Sequence, residues 1–445
     1  MRLLVSLIFF FLIGACHSGK APEIPTPAPY SLKAEIDLFL SAENPEVESR
    51  VLSRLEQHGI RNEDVKELLR KRPHGAGAPS GLQAGLTIEH NGKNYPYALF
   101  SPPSGGADEN FPMIVILHGM GGTGDSTIGK WVERLQNKFI ILCPSYPMGA
   151  WWARPAEEIV LQLIQKTKSD YPVDGDRVFL AGLSNGAIGT FMIGMFYPDR
   201  FAGIVPIAGT ITERLMPFLV NLNNTPVYII HGARDPVFPV TYQRRVHKIL
   251  SDLKYSVVYR EHQETGTAHG GHFLPAPEVP RLLQWLNQQK RRHNPKIVRM
   301  TREGNHLDAI QWARITAGVN LAALQLPGPE NEPLNVRDGK IATLFALQKG
   351  GNRIEILGKN VTRYQVYLNS GMVDFDLPVR ITTRRIIDRG NRLVPGETQI
   401  SFDQKVDRDM GVLLRGFKTR RDPGLLFDAM VEVSLEEPVA GLRMP

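Results

Sequence analysis

The chain has only two cysteines in 445 residues, which excludes a disulfide framework and any cysteine-rich zinc site. Aromatic residues make up 8% of it, and no lysine or arginine run is interleaved with them, which argues against nucleic acid as a partner. The N-terminal apolar run Leu3–Ile13 is too short to span a bilayer. Internal repeats are lacking, so a solenoid is not expected. What remains is 42% hydrophobic and 22% charged, enough apolar material for the cores of two or three domains. The formal net charge of +7 serves solubility, or a weak attraction to anionic lipid or polymer surfaces.

Residues 1–15 read as an export signal, with Arg2 ahead of the apolar run. It closes on Ile13-Gly14-Ala15-Cys16, which resembles the bacterial lipobox. That resemblance implies cleavage before Cys16, lipidation of its thiol, and an extracytoplasmic protein anchored in the cell envelope. His17, rather than aspartate, then directs it to the outer membrane if the source is Gram-negative. Residues 16–30 carry Pro22, Pro25, Pro27 and Pro29 and predict an extended spacer. Residues 31–81 predict three helices and a hinge: Asn44-Pro45 starts one, Gly59 ends it, Asn62 caps the last and Pro73 stops it. These helices are expected to cover the catalytic domain's surface or lean over its site.

Residues 82–293 change pattern. A hairpin is expected around Asn91-Gly92. Short apolar strands then alternate with helices, predicting an α/β fold whose mostly parallel sheet is covered on both faces. One of those helices is predicted at Trp131–Gln136. Functional groups belong at the carboxyl ends of such strands. The cluster Lys290-Arg291-Arg292 reads as a domain junction. Residues 294–445 alternate polar and apolar positions between recurrent turn signals and predict a separate β-rich, sandwich-like domain, with one helix near Asp407–Phe417.

The chain is organised around Arg177–Tyr197. The strand Val178–Ala181 runs into Gly182-Leu183-Ser184-Asn185-Gly186, and a helix follows until Pro198. Strand, G-x-S-x-G and helix is the setting of a nucleophile elbow, with Ser184 at its tip. A serine hydroxyl needs a neutral histidine as base, a carboxylate to orient that histidine, and donors for an oxyanion. The donors are expected from the glycine-rich turn His118-Gly119-Met120-Gly121-Gly122, with the N–H of Met120 ahead of that of Gly121, and from the N–H of Asn185. His118, at the strand end, reads as a residue that fixes the loop. Asp235, in the loop after Val227–Ile230, is the expected acid. The base comes from the loop Glu261–Phe273: His262 lies too close to the strand, His272 is preferred, and His269 is the alternative. Trp151 and Trp152 either line the substrate pocket, or one ring packs beneath the loop. The connection Ile211–Thr225 leaves no room for a large helical lid, so the site should be open.

The order Ser184, Asp235, His272 is that of the α/β-hydrolases. Residues 82–292 resemble the compact esterase, thioesterase and prolyl-oligopeptidase-like members of that group, some of which carry a β-rich extension similar to Met372–Val379 and Val406–Leu414. The long loop Thr265–Gly271, with its extra histidine, departs from the pattern. The resemblance implies a serine hydrolase without metal or cofactor, acting through an acyl-enzyme on a bulky or polymer-linked carboxylic ester. A serine peptidase of the prolyl-oligopeptidase-like type, and a surface binding lipoprotein with an inactive hydrolase domain, are the alternatives.

Overall fold

The computed structural model describes residues 30–71, 78–103, 109–265, 270–324, 339–389 and 392–435. The predicted signal, Cys16 and His269 lie outside them. Helices α1 (Leu32–Ser41), α2 (Pro45–Gln57) and α3 (Asn62–Arg70) open the described chain. Eight strands then build one sheet: β1 (Gly81–His90), β2 (Lys93–Ser101), β3 (Phe111–Leu117), β4 (Ile140–Pro144), β5 (Val173–Leu183), β6 (Gly203–Ile207), β7 (Val227–Gly232) and β8 (Val257–His262). Their order is β1-β2-β4-β3-β5-β6-β7-β8. The β1–β2 hairpin turns at Asn91-Gly92, both with positive φ, and pairs antiparallel with β4; every pair from β4 to β8 is parallel.

Strands β3, β4 and β6, and the stretch Val178–Ala181 of β5, are apolar throughout because both faces are covered. In β3, Met113, Val115 and Leu117 face the core layer formed with α5 (Arg154–Asp170), α6 (Asn185–Phe196) and, over β7 and β8, α7 (Val240–Asp252). Ile114 and Ile116 face the opposite layer, α4 (Gly124–Arg134) and α8 (Glu278–Gln288). This is the α/β-hydrolase fold expected from the sequence. The helix predicted at Trp131–Gln136 instead begins at Gly124, where Thr123 and Ser126 form a reciprocal cap; two glycines of low helix propensity hide that first stretch.

The C-terminal region is β-rich, as expected. Strands β9 (Ile297–Arg302), β10 (Ala313–Ala317), β11 (Ala342–Gly350), β12 (Arg353–Lys359), β13 (Arg363–Leu368), β14 (Val379–Arg389), β15 (Arg392–Gln404) and β16 (Ala429–Ser434) form two sheets. The five-stranded sheet runs β15-β14-β12-β11-β9 and the three-stranded one β10-β13-β16. Alternate residues of both, such as Leu344, Ile356 and Ile381 against Ile315, Tyr364 and Val431, share one sandwich core. Helix α9 (Met410–Arg420) precedes β16, its N-terminus capped by Asp409.

The N-terminal helices do not lean over the α/β sheet. Ile36, Phe39, Val51, Leu55, Val65 and Leu69 close over Leu413, Leu414 and Phe417 of α9. Buried Lys66 pairs with Asp428 at 2.6 Å, and Lys418 with Glu48 at 2.7 Å. Arg291, from the basic cluster read as a junction, bridges Asp176 of the α/β unit and Asp422 just past α9. Beside it, Asp199 accepts from Arg420 at 2.5 Å, and His306 sits between Glu157 and Glu303.

Candidate active site

Strand β5 ends in a strained turn. Ser184 has φ 60° and ψ −122°, a conformation held because its N–H donates to Ile207 O at 3.0 Å and α6 starts immediately after it. The flanking glycines are required by close approach: a Cβ on Gly182 would run into the Gly186 carbonyl, and one on Gly186 into the Leu117 carbonyl. Asn185 is the first residue of α6, so its N–H has no acceptor within the helix. Its side-chain amide donates to Met148 O at 3.1 Å, tying the Pro147–Gly149 turn to the elbow.

The loop after β3 lies against that elbow; a Cβ on Gly119 would stand 3.2 Å from Ser184 Cβ. Gly122 N–H closes a turn on Gly119 O at 3.1 Å, with Gly121 at φ 74° in its third position. That leaves the Met120 N–H unused by the turn bond. His118 holds the loop: Nδ1 donates to Gly119 O at 2.7 Å, and Nε2 accepts the Tyr146 N–H at 3.1 Å. Burial pushes its pKa down, which keeps the ring neutral and the tautomer fixed.

After β7, the buried Asp235 carboxylate is fully engaged. Oδ1 accepts the N–H groups of Val237 and Phe238 at 2.8 and 3.0 Å, and Oδ2 accepts from His272 Nδ1 at 2.9 Å. Burial alone would raise this carboxyl, but the bonds from His272, Phe238 and Val237 outweigh it and hold the pKa below the ordinary range. With Nδ1–H committed to Asp235, His272 is left with Nε2 as its basic nitrogen. The Phe238 ring stacks on the imidazole at 5.9 Å. His262 is buried edge-to-face against Phe273 and makes no bond to Asp235.

Ser184 stands at the carboxyl end of β5, and the Asp235–His272 pair stands past the ends of β7 and β8, on the same edge of the parallel sheet. Among the described residues no hydrogen bond joins Ser184 to His272.

The two tryptophans part company. Trp151 has no exposed surface; its Nε1 donates to His118 O at 2.8 Å and its ring meets His118 edge-on. It supports the loop and is not a pocket residue, because α6 crosses directly over it at Gly189. Trp152 lines a cavity of about 780 Å³ together with Ile188, Ile211, Leu215, Phe238 and Tyr242. Sequence reasoning missed those five, although Ile188 is one helical turn past Ser184 and Phe238 is three residues past Asp235. Four large apolar side chains keep much of their surface in water: Met120 (66% exposed) on the glycine-rich turn, Met148 (55%) on the Pro147–Gly149 turn, Val237 (54%) after Asp235, and Tyr242 (43%), which lines the cavity. Among the described residues no three His, Cys, Asp or Glu side chains converge to hold a metal ion.

Residues 154–283 match the model of the Phospholipase/Carboxylesterase family. The chain is similar to poly(3-hydroxyalkanoate) depolymerase C of Paucimonas lemoignei, 30% identical over 127 residues, which are 25% of this chain and 31% of that one. It thus spans less than a third of that relative's length. Acyl-protein thioesterase 1 of Yarrowia lipolytica is 24% identical over 211 residues, 39% of this chain and 90% of that one. Among solved structures, a thermostable esterase aligns with a TM-score of 0.41 and 24% identity, over 47% of this chain and 63% of that one.

Proposed function

We propose that the protein is a serine hydrolase that cleaves carboxylic esters through an acyl-enzyme. The observation that carries this reading is the Asp235–His272 bond, on the same sheet edge as a serine held in a strained elbow. His272 Nε2 takes the Ser184 proton as Oγ attacks the ester carbonyl. The N–H groups of Met120 and Asn185 stabilise the oxyanion. The imidazolium, stabilised by Asp235, returns the proton to the leaving alcohol, and water repeats the cycle to release the acid.

The apolar cavity behind Trp152 supports a bulky, apolar acyl group. The exposed Met120, Met148 and Val237 on the loops that meet at Ser184 and Asp235, with Tyr242 at the cavity, support approach to a substrate larger than the pocket, such as a polymer-linked ester. The likeness of one segment to a polyhydroxyalkanoate depolymerase agrees with that class. The lipobox-like segment supports a diacylated or triacylated Cys16 as the anchor in a bacterial envelope.

A fluorophosphonate probe tests the chemistry. It should label the wild type and not Ser184→Ala, and Ser184→Ala should lose about 10⁴-fold or more of its turnover of aryl esters. Labelling or turnover that survives the substitution would remove the mechanism. Cys16→Ser should shift the protein from membrane to soluble fractions; unchanged retention would remove the anchor.

A further inference from the structure

We propose that the cleft between α9, the end of α6 and the three-stranded sheet binds a small organic anion, its charged head held by Arg200, Arg314 and Arg415 and its body against Tyr367 and Phe427. The cleft encloses about 420 Å³, within the range of small-molecule sites. It lies at the junction of the two units, at the end of α6 opposite the one that begins at Asn185, and shares no lining residue with the cavity beside Ser184.

Its outer wall follows from strand register. Residues of β10, β13 and β16 alternate between the sandwich core and the opposite face. Ile315, Tyr364, Val366 and Val431 point inward. Arg314 pairs across the strands with Gln365, and Tyr367 with Met430, and all four line the cleft. The Tyr367 hydroxyl donates to Gln365 Oε1 at 3.0 Å, and its ring tilts against Phe427 at 5.7 Å. The pair presents an apolar, partly aromatic surface.

The arginines give this surface its charge. Elsewhere at the junction Arg420 pairs with Asp199, and Arg291 with Asp176 and Asp422. Arg200, Arg314 and Arg415 have no carboxylate within ion-pair distance among the described residues. Arg200 donates to the Arg420 carbonyl at 3.3 Å and Arg314 to the Leu307 carbonyl at 2.9 Å, which orients each guanidinium without neutralising it. Arg415 folds back over Gly411, where a Cβ would run into its guanidinium. One carboxylate, Asp308, lines the cleft against these three and the paired Arg420. Burial and the neighbouring Arg420 charge push the Arg200 pKa down to about 10 although the charges of Asp199, Asp422 and Asp308 act against them, so a bound anion would relieve an electrostatic cost that remains. Planar guanidinium forks match carboxylate and phosphate equally, and the apolar wall calls for an organic body behind the head.

Calorimetric titration of the full chain tests this with phenylacetate, phenyl phosphate, neutral phenylacetamide and inorganic phosphate. Phenylacetate or phenyl phosphate should bind saturably, and whichever binds more tightly identifies the head group. Phenylacetamide and inorganic phosphate should bind at least ten-fold more weakly. Arg415→Gln and Arg314→Gln should each weaken the organic anion about ten-fold, Arg415→Lys should recover part of the loss, and none of the three should change turnover of a soluble ester. Equal binding by acid and amide, or affinities indifferent to all three substitutions, would overturn the proposal.

Discussion

Replacing Gly189 with alanine sets two opposite expectations against each other. Glycine inside a helix costs about 0.5–1 kcal/mol relative to alanine, so propensity alone predicts a more stable protein. The structure predicts the reverse. The new methyl would overlap Trp151 Cβ and stand 2.9 Å from both Leu117 Cδ1 and Trp151 Cγ. Trp151 and Leu117 are fully buried, and a clash with a Cβ is not relieved by changing a rotamer. Either α6 lifts off β3 or the Trp151 loop shifts. Overpacking of this kind costs about 1–3 kcal/mol, and a clash this close belongs at the upper end, leaving a net loss of about 2 kcal/mol once the propensity gain is subtracted. The shift would also reach the proposed oxyanion turn. Trp151 Nε1 holds His118 O, and a Cβ on Gly149 would already be only 3.1 Å from Gly119 O. Misplacement by about an ångström can cost ~10²-fold in rate. Urea unfolding and kcat on a soluble aryl ester measure both effects. Gly129→Ala, on α4 with no atom within 4 Å of the added Cβ, is the control and should gain about 0.5–1 kcal/mol. A Gly189→Ala protein as stable as the control, with wild-type kcat, would refute the reasoning.

Asp235→Asn should leave urea stability within about 1 kcal/mol and lower kcat about 10⁴-fold, because the amide no longer fixes the His272 tautomer; a loss under ten-fold would separate Asp235 from the chemistry. His306 gives stability a pH dependence: burial opposes its charge, but Glu157 and Glu303 outweigh that and raise its pKa from 6.5 to about 9. Since the folded value is the higher one, the stabilisation is complete below pH 6.5 and is lost as pH rises through about 9. Tm should therefore fall more steeply over that window in the wild type than in His306→Gln, and equal slopes in a calorimetric pH series would contradict it. Lys66→Met strands the buried Asp428 carboxylate and should cost about 3 kcal/mol in urea unfolding, whereas a cost under 1 kcal/mol would show the pair to be energetically idle.

The parts of the site legible in the sequence are those that follow directly from a buried strand. Ser184, Asp235 and the His118–Gly122 turn each come within a few residues of an apolar run, so strand order alone assigns them to one edge of the sheet. His272 is less direct, since three histidines share its loop, and the Asp235 bond is what singles it out among the described residues. Trp151 and Trp152 are identical to any sequence pattern. Only the crossing of α6 at Gly189 decides which ring is covered and which faces the cavity. The docking of α1–α3 was not legible at all, because the carboxylate that receives Lys66 is 362 residues away in the chain. An amphipathic helix announces that it will be covered, not by what.

The same distinction explains why the support of the site stays hidden while its proposed reactive groups do not. Asn185 performs two tasks from one position: its main chain begins α6 with a free donor, and its side chain holds Met148 O. Met148 is itself left-handed, at φ 55°, and the turn it belongs to brings Gly149 against Gly119. Trp151 then carries the contact back to His118, whose two ring nitrogens fix the turn that offers the Met120 N–H. Elbow, tryptophan loop and glycine-rich turn thus form a closed ring of contacts, in which the position of each depends on the other two. Met148 pays conformational strain that only the other two loops repay. A ring of this kind holds donors in place before any oxyanion forms, which is the condition for electrostatic stabilisation without reorganisation.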